Sequence, residues 1–211
     1  MIRVLSFLPL LLPASGALAH PHIFVDTALE VALNEAQQVT GVTVSWAYDE
    51  FFTLLLFEDM GLDPDGDGVL SDAEMEELQG FELANWPLDY AGDLYLFAGD
   101  EAVELGRPEA RGVTLKDGRI QSDHYRPLLP PSPADGLHIA QYDPTYYIAY
   151  TLSRGVTVDG ACEAIVTDPD LDETARAMQQ ELANIPEDGF TELLAGHLYA
   201  QDVRIVCAAS E

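Results

Sequence analysis

The sequence predicts a mostly β (α+β) fold: sandwich-like antiparallel sheets, an inserted helix–loop–helix, and a C-terminal helix plus strand. Three observations carry this prediction. Short apolar–polar alternations recur along the chain, separated by Gly/Pro/Asp turns. Helical spacing is confined to two stretches, 49–84 and 171–184. About 190 residues follow a leader, enough for one core, and neither a repeat nor a low-complexity segment marks a second domain.

The elements follow in order. Residues 22–33 and 38–48 alternate around Asn34-Glu35-Ala36-Gln37, a predicted hairpin. In the first run His20, His22, Phe24 and Asp26 share one face, and Ile23, Val25, Leu29, Val31 and Leu33 share the other. Over 49–61 the apolar residues Phe51, Phe52, Leu55, Leu56 and Met60 recur near helical spacing, and Ser71 with Glu74 forms a capping box for a second helix. Further strands are predicted near 93–105, 111–116, 118–126, 137–143, 146–153 and 161–167. Turns are read at Lys116-Asp117-Gly118 and at Leu129-Pro130-Pro131-Ser132-Pro133. A helix over 171–184 and a last strand over 197–207 complete the single domain, 20–211.

The segment between the first two helices carries the strongest chemistry. Oxygen ligands fall at positions one, three, five and nine of a twelve-residue stretch: Asp63, Asp65, Asp67 and Ser71. Gly68 stands sixth, where the chain must turn sharply, and Val69 stands seventh, where only a backbone carbonyl is needed. Glu74 is twelfth, suited to bidentate ligation. This is a complete EF-hand-like calcium loop within an insert of about 49–84. A lone loop of this kind reads as a structural clip with weak affinity, on the order of 10⁻⁴–10⁻³ M.

Residues 1–19 read as a removable signal peptide: Arg3, an apolar run from Val4 to Leu12, and Ala17-Leu18-Ala19 at the cleavage site. No later stretch reaches the length of a spanning helix, so a periplasmic protein without membrane insertion is expected. A formal charge of −28 disfavours nucleic acid and attracts cations. Cys162 and Cys207 form an even pair without close Cys-x-x-Cys spacing, and in an oxidising compartment they read as a disulfide.

Cleavage after Ala19 would leave His20-Pro21-His22 at the new terminus. The amine and imidazole of His20 and the imidazole of His22 could share one transition metal (Zn, Ni, Co or Cu). Pro21 excludes the square-planar amino-terminal copper/nickel arrangement, which needs a backbone N–H at the second residue to lose. Two solvated histidines on a strand end are the plain alternative. His124, His138 and His197 each read as structural or solvated. Asp143 before Pro144 suits a turn, its carboxylate accepting from backbone two residues on. The chain carries no Gly-x-Ser-x-Gly elbow, phosphate-binding glycine loop or His-Glu-x-x-His helix.

Three segments carry a wider likeness: Ala19-His20-Pro21-His22-Ile23-Phe24-Val25-Asp26, Trp46-Ala47-Tyr48-Asp49-Glu50-Phe51, and Tyr142-Asp143-Pro144-Thr145-Tyr146-Tyr147. In this order and spacing the chain resembles the bacterial family of unknown function numbered 1007, whose members are described as periplasmic components of ABC-type transport and associated with nickel/cobalt-type permeases. The resemblance implies a metal site drawn from His20, His22, Asp49 and Asp143, and a divalent-metal permease as partner. The leading expectation is a non-enzymatic periplasmic metal-binding accessory or chaperone protein with one structural calcium loop. The alternatives are a copper-dependent oxidative enzyme using the terminal histidine, and a calcium-stabilised interaction module with no transition-metal role.

Overall fold

A computed structural model describes residues 21–88, 90–184 and 194–208. The predicted leader and His20 lie outside these residues. The structure is mostly β: two sheets packed face to face, with three helices.

The first sheet is built on a hairpin of β1 (Ile23–Leu33) and β2 (Gln38–Tyr48). Asn34 makes the turn, its side-chain oxygen accepting from the N–H groups of Ala36 and Gln38, both at 3.0 Å. The alternation read in β1 sends Val25, Thr27, Leu29 and Val31 inward and leaves Phe24 outside. β6 (Arg119–Pro133) runs antiparallel to β2, and β5 (Glu109–Lys116) pairs with β6. Beyond β1 lie β8 (Ile148–Thr151) and β9 (Val156–Val158), both parallel to it. The sheet is therefore mixed, whereas the sequence led us to expect antiparallel sheets. Strand direction follows from the long excursion between β1 and β8, which side-chain alternation does not encode.

The second sheet orders β10 (Cys162–Thr167), β11 (Asp202–Cys207), β7 (Leu137–Gln141), β3 (Leu94–Ala98) and β4 (Glu101–Ala102), all antiparallel. The strand predicted over 93–105 is thus a short hairpin, and β9 was not anticipated. The prolines of 129–133 form the end of β6 rather than a turn. There Ser132 lies opposite Val39 and Pro133 opposite Gln38, past a bulge in the β2–β6 ladder that accommodates residues without an N–H. The inner faces bury Val39, Val42, Val44, Leu94, Leu96, Ile120, Ile139, Val203 and Ile205.

Between β2 and β3 lie α1 (Glu50–Met60) and α2 (Asp72–Leu78). Gln79 anchors the end of α2 to β5 by a reciprocal pair, its side-chain N–H donating to the Val113 carbonyl and its oxygen accepting from the Val113 N–H, both at 2.9 Å. Near the C-terminus α3 (Leu171–Asn184) starts on Asp170, which accepts from the Asp172 and Glu173 N–H groups. A 3₁₀ turn, Gly196–Tyr199, precedes β11, so the strand predicted over 197–207 begins later.

Cys162 and Cys207 are register partners at the edge of the second sheet and form a disulfide across 45 positions of sequence. Closing a loop of that length removes chain entropy worth roughly 4 kcal/mol. Reducing the protein, or replacing both cysteines by serine, is expected to lower its unfolding free energy by roughly that amount. A urea titration with and without reductant measures it, and coincident midpoints would contradict the assignment of stability to this crosslink.

Candidate functional site

The segment after α1 is assembled from local backbone preferences. Gly61 ends the helix in the left-handed region, at φ 69°, and the chain turns again at Gly66 (φ 70°) and Gly68 (φ 76°). The Asp63 carboxylate accepts from the N–H groups of Asp67 and Gly68, both at 3.0 Å, and Asp67 accepts from Val69 at 2.8 Å. These bonds curl the chain so that ligand atoms of Asp63, Asp65 and Asp67 lie within 4.8 Å of one another, the one such acidic group among the described residues.

The two ends of the segment are joined through Glu74. It accepts from the Asp63 N–H at 3.0 Å and, in the capping box, from the Ser71 N–H at 2.8 Å and hydroxyl at 2.6 Å. The Ser71 hydroxyl and then the two backbone donors hold the Glu74 carboxyl below its usual range. Val69 is exposed, whereas Leu70 packs against the core. Three close carboxylates repel one another, and a hard divalent cation with oxygen ligands would relieve that repulsion.

The residues implied by resemblance behave differently. His22, Asp49 and Asp143 gather around the start of β1, but mainly through backbone. Asp49 caps α1 by accepting from the Phe52 N–H at 2.8 Å, while its other oxygen accepts from the Phe24 N–H at 2.7 Å. Asp143 makes the turn read from its sequence, accepting from the Thr145 N–H at 2.9 Å and from the Ile148 N–H at 3.0 Å. The N–H of His22 donates to the Tyr147 carbonyl, and its ring lies 4.8 Å from the Tyr147 ring. Both carboxylates are thus committed to shaping the chain, and the three side chains form no cluster with metal-ligand spacing.

A second group was not read from the sequence as a cluster, although Trp46 and His124 belong to it. Thr27, Trp46 and Ser122 lie in one cross-strand row on the inner face of the first sheet. Thr27 Oγ1 and Trp46 Nε1 have no hydrogen-bond partner among the described residues, and Ser122 lies beside the buried Tyr48 hydroxyl. Both ring nitrogens of His124, the Gln141 amide and the Glu82 carboxylate likewise have no such partner there. His124 is fully buried, 4.6 Å from the Trp46 ring and 5.8 Å from Trp86. Burial, then the charge of Arg126, pushes its imidazole down to about 3, so it is neutral at ordinary pH. Burial also raises the Glu82 carboxyl.

Asp93 ties the two sheets together, accepting from the hydroxyls of Tyr90 at 2.8 Å and Tyr150 at 2.9 Å. Unpartnered buried polar groups cost about 1–3 kcal/mol each, so this polar seam lowers the stability of the interior. Its sequence signal is faint. Along β6 both alternating sets contain polar residues (Ser122, His124 and Arg126 inside; Gln121 and Asp123 outside), so hydropathy cannot tell which set faces inward.

Residues 5–207 match the family described as "Protein of unknown function (DUF1007)". The chain belongs to this family. A protein of Haemophilus influenzae described as "Uncharacterized protein" is similar as well. It is 26% identical over 200 residues, covering 91% of this chain and 93% of its own length. The DUF1007 match spans both sheets, the acidic loop and the polar seam, so all of these features lie within one family unit.

The seam predicts a pH dependence in this DUF1007 chain. Burial first, and the charge of Asp143 after it, raise Asp93 from its ordinary 3.8 to about 6, against the opposing pull of the two tyrosine hydroxyls. Between these values the folded protein holds a proton that the unfolded chain has released, so stability falls as pH rises from about 4 to about 6. His124 acts oppositely as pH drops below about 6.5, which makes a difference measurement necessary. Asp93→Asn is expected to remove a pH-dependent component of about 3 kcal/mol across that window. Denaturant titrations at several pH values, wild type minus variant, measure it; parallel curves would refute it.

Proposed function

We propose that this protein is an extracytoplasmic metal-binding accessory protein of a divalent-cation transport system, and that its 63–74 segment is an EF-hand-like loop holding calcium. The observation that carries the calcium reading is the convergence of Asp63, Asp65 and Asp67 within 4.8 Å, with Glu74 folded back onto the start of the loop. The donor set is all oxygen, as calcium requires: three carboxylates, the Val69 carbonyl, Ser71 and Glu74. Flanking α1 and α2 hold the loop ends, and the Gln79–Val113 pair couples α2 to β5. The bound ion would therefore brace the insert against the first sheet.

The extracytoplasmic reading is supported by the disulfide and by the leader-like residues 1–19. No helix of the described residues is long and apolar enough to cross a membrane. The transport reading rests on the resemblance of the three segments quoted above and on two surface features. His22 is exposed at the start of β1, where with His20 it could bind a borderline cation. Helix α1 exposes Phe51, Leu54 and Leu55, the kind of apolar face that a partner such as a permease covers.

Calorimetric titration tests the calcium site. With a dissociation constant on the order of 10⁻⁴–10⁻³ M, about 10 mM calcium should stabilise the protein by about 1.4–2.7 kcal/mol. Asp65 makes no side-chain hydrogen bond among the described residues and adds to the repulsion there, so Asp65→Ala should abolish this gain without destabilising the calcium-free protein. An equal response to calcium in the variant would sink the assignment.

The transition-metal role is tested in protein starting at His20. His22→Ala is expected to weaken zinc or nickel binding at least about tenfold, roughly 1.4 kcal/mol, with calcium binding intact. If wild type binds neither metal, the calcium loop stands without the transport role.

A further inference from the structure

Arg126 is an anomaly in so acidic a protein. It is only 3% exposed, yet no carboxylate among the described residues lies within ion-pairing distance of it. Its guanidinium donates to two backbone carbonyls, from Nε to Gly106 at 3.0 Å and from Nη1 to Ala91, and lies 5.2 Å from the centre of the Trp86 ring. Nη2 makes no hydrogen bond among the described residues. The backbone at Gly92 is packed so closely that a side chain there would collide with Nη1 and with Trp86. The guanidinium is therefore fixed in place.

A buried cation held only by carbonyl dipoles and a ring face is costly unless an anion compensates it. Arg126 and Tyr90 line a cleft of ≈ 250 Å³ whose other walls are mainly apolar, including Leu94, Leu96, Val103 and Leu105. Leu88 stands at this cleft with 89% of its surface exposed. The cleft is smaller than the roughly 300–1,000 Å³ typical of drug-sized ligands, and it combines an apolar body with one charged donor.

We propose that this cleft binds a small organic monocarboxylate, its carboxylate on Arg126 and its apolar body against Leu94, Leu96, Val103 and Leu105. Guanidinium–carboxylate pairing suits the planar fork of arginine. Inorganic phosphate fits less well, because the walls supply few donors for its remaining oxygens. This site is independent of the acidic loop and of the calcium reading.

The test uses phenylacetate and its neutral analogue phenylacetamide, titrated into the disulfide-intact protein and followed by calorimetry and Trp86 fluorescence. Phenylacetate should bind at least about tenfold more tightly than the amide. Arg126→Met should erase that preference. Because this variant removes buried hydrogen bonds and could unfold, Ala102→Trp provides a second arm. Ala102 lines the cleft but is exposed on β4, so filling the cleft there should block phenylacetate without lowering thermal stability. Equal affinity for acid and amide, binding unaffected by Ala102→Trp, or no phenylacetate binding at about 10 mM would each overturn the proposal.

Discussion

The architecture depends on how the start of β1 is held. Asp49, at the junction of β2 and α1, accepts from the Phe24 N–H, and the carbonyl of Tyr147 accepts from the N–H groups of both His22 and Ile23. Asp143 shapes the turn that presents that carbonyl. Two short acidic turns, one before a helix and one before β8, thereby grip a single strand from both sides. Among the described strands β1 alone pairs with three others: β2 antiparallel, β8 and β9 parallel. Its position sets the register of the first sheet. This gives a physical account of two of the three segments that carry the family resemblance, Asp49 and Asp143 serving as backbone acceptors there.

The interior of the sandwich has two characters. Its aliphatic part, around Val42, Val44, Leu96, Ile139 and Ile205, is ordinary sheet-on-sheet packing. Beside it runs the seam of Thr27, Trp46, Ser122, His124 and Gln141, with Asp93 hydrogen-bonded to tyrosines from two different parts of the chain. Such an arrangement costs stability, since each buried polar group must find a partner or bear its desolvation. The position of Arg126 at the border between this seam and the open cleft links the interior to the surface.

The acidic loop is built on a different principle. Its shape comes from contacts within twelve residues: glycines at left-handed positions, Asp63 collecting N–H groups, and a capping box that spaces Ser71 from Glu74. The rest of the fold anchors it through Leu62, Leu70, Met75, Leu78 and Gln79.

The division between what the sequence alone determined and what required tertiary structure follows the range of the interactions. The β1–β2 hairpin, the capping box of α2, the Asp143 turn and the acidic loop were legible because each is decided by side chains within a few positions of one another. The cysteine pair was legible because there were only two. The parallel pairing of β8 and β9, the run of β6 through its prolines and the split of 93–105 into a hairpin were not, because alternation reports which residues share a face but not which strand lies alongside. The same limit hid Asp93 and Arg126, and left His124 read only as structural or solvated. Their character comes from burial and from partners tens of residues away, and only the packing of two sheets decided that a histidine would be neutral, an aspartate would keep its proton up to about pH 6, and an arginine would lie in the interior with no acid beside it among the described residues.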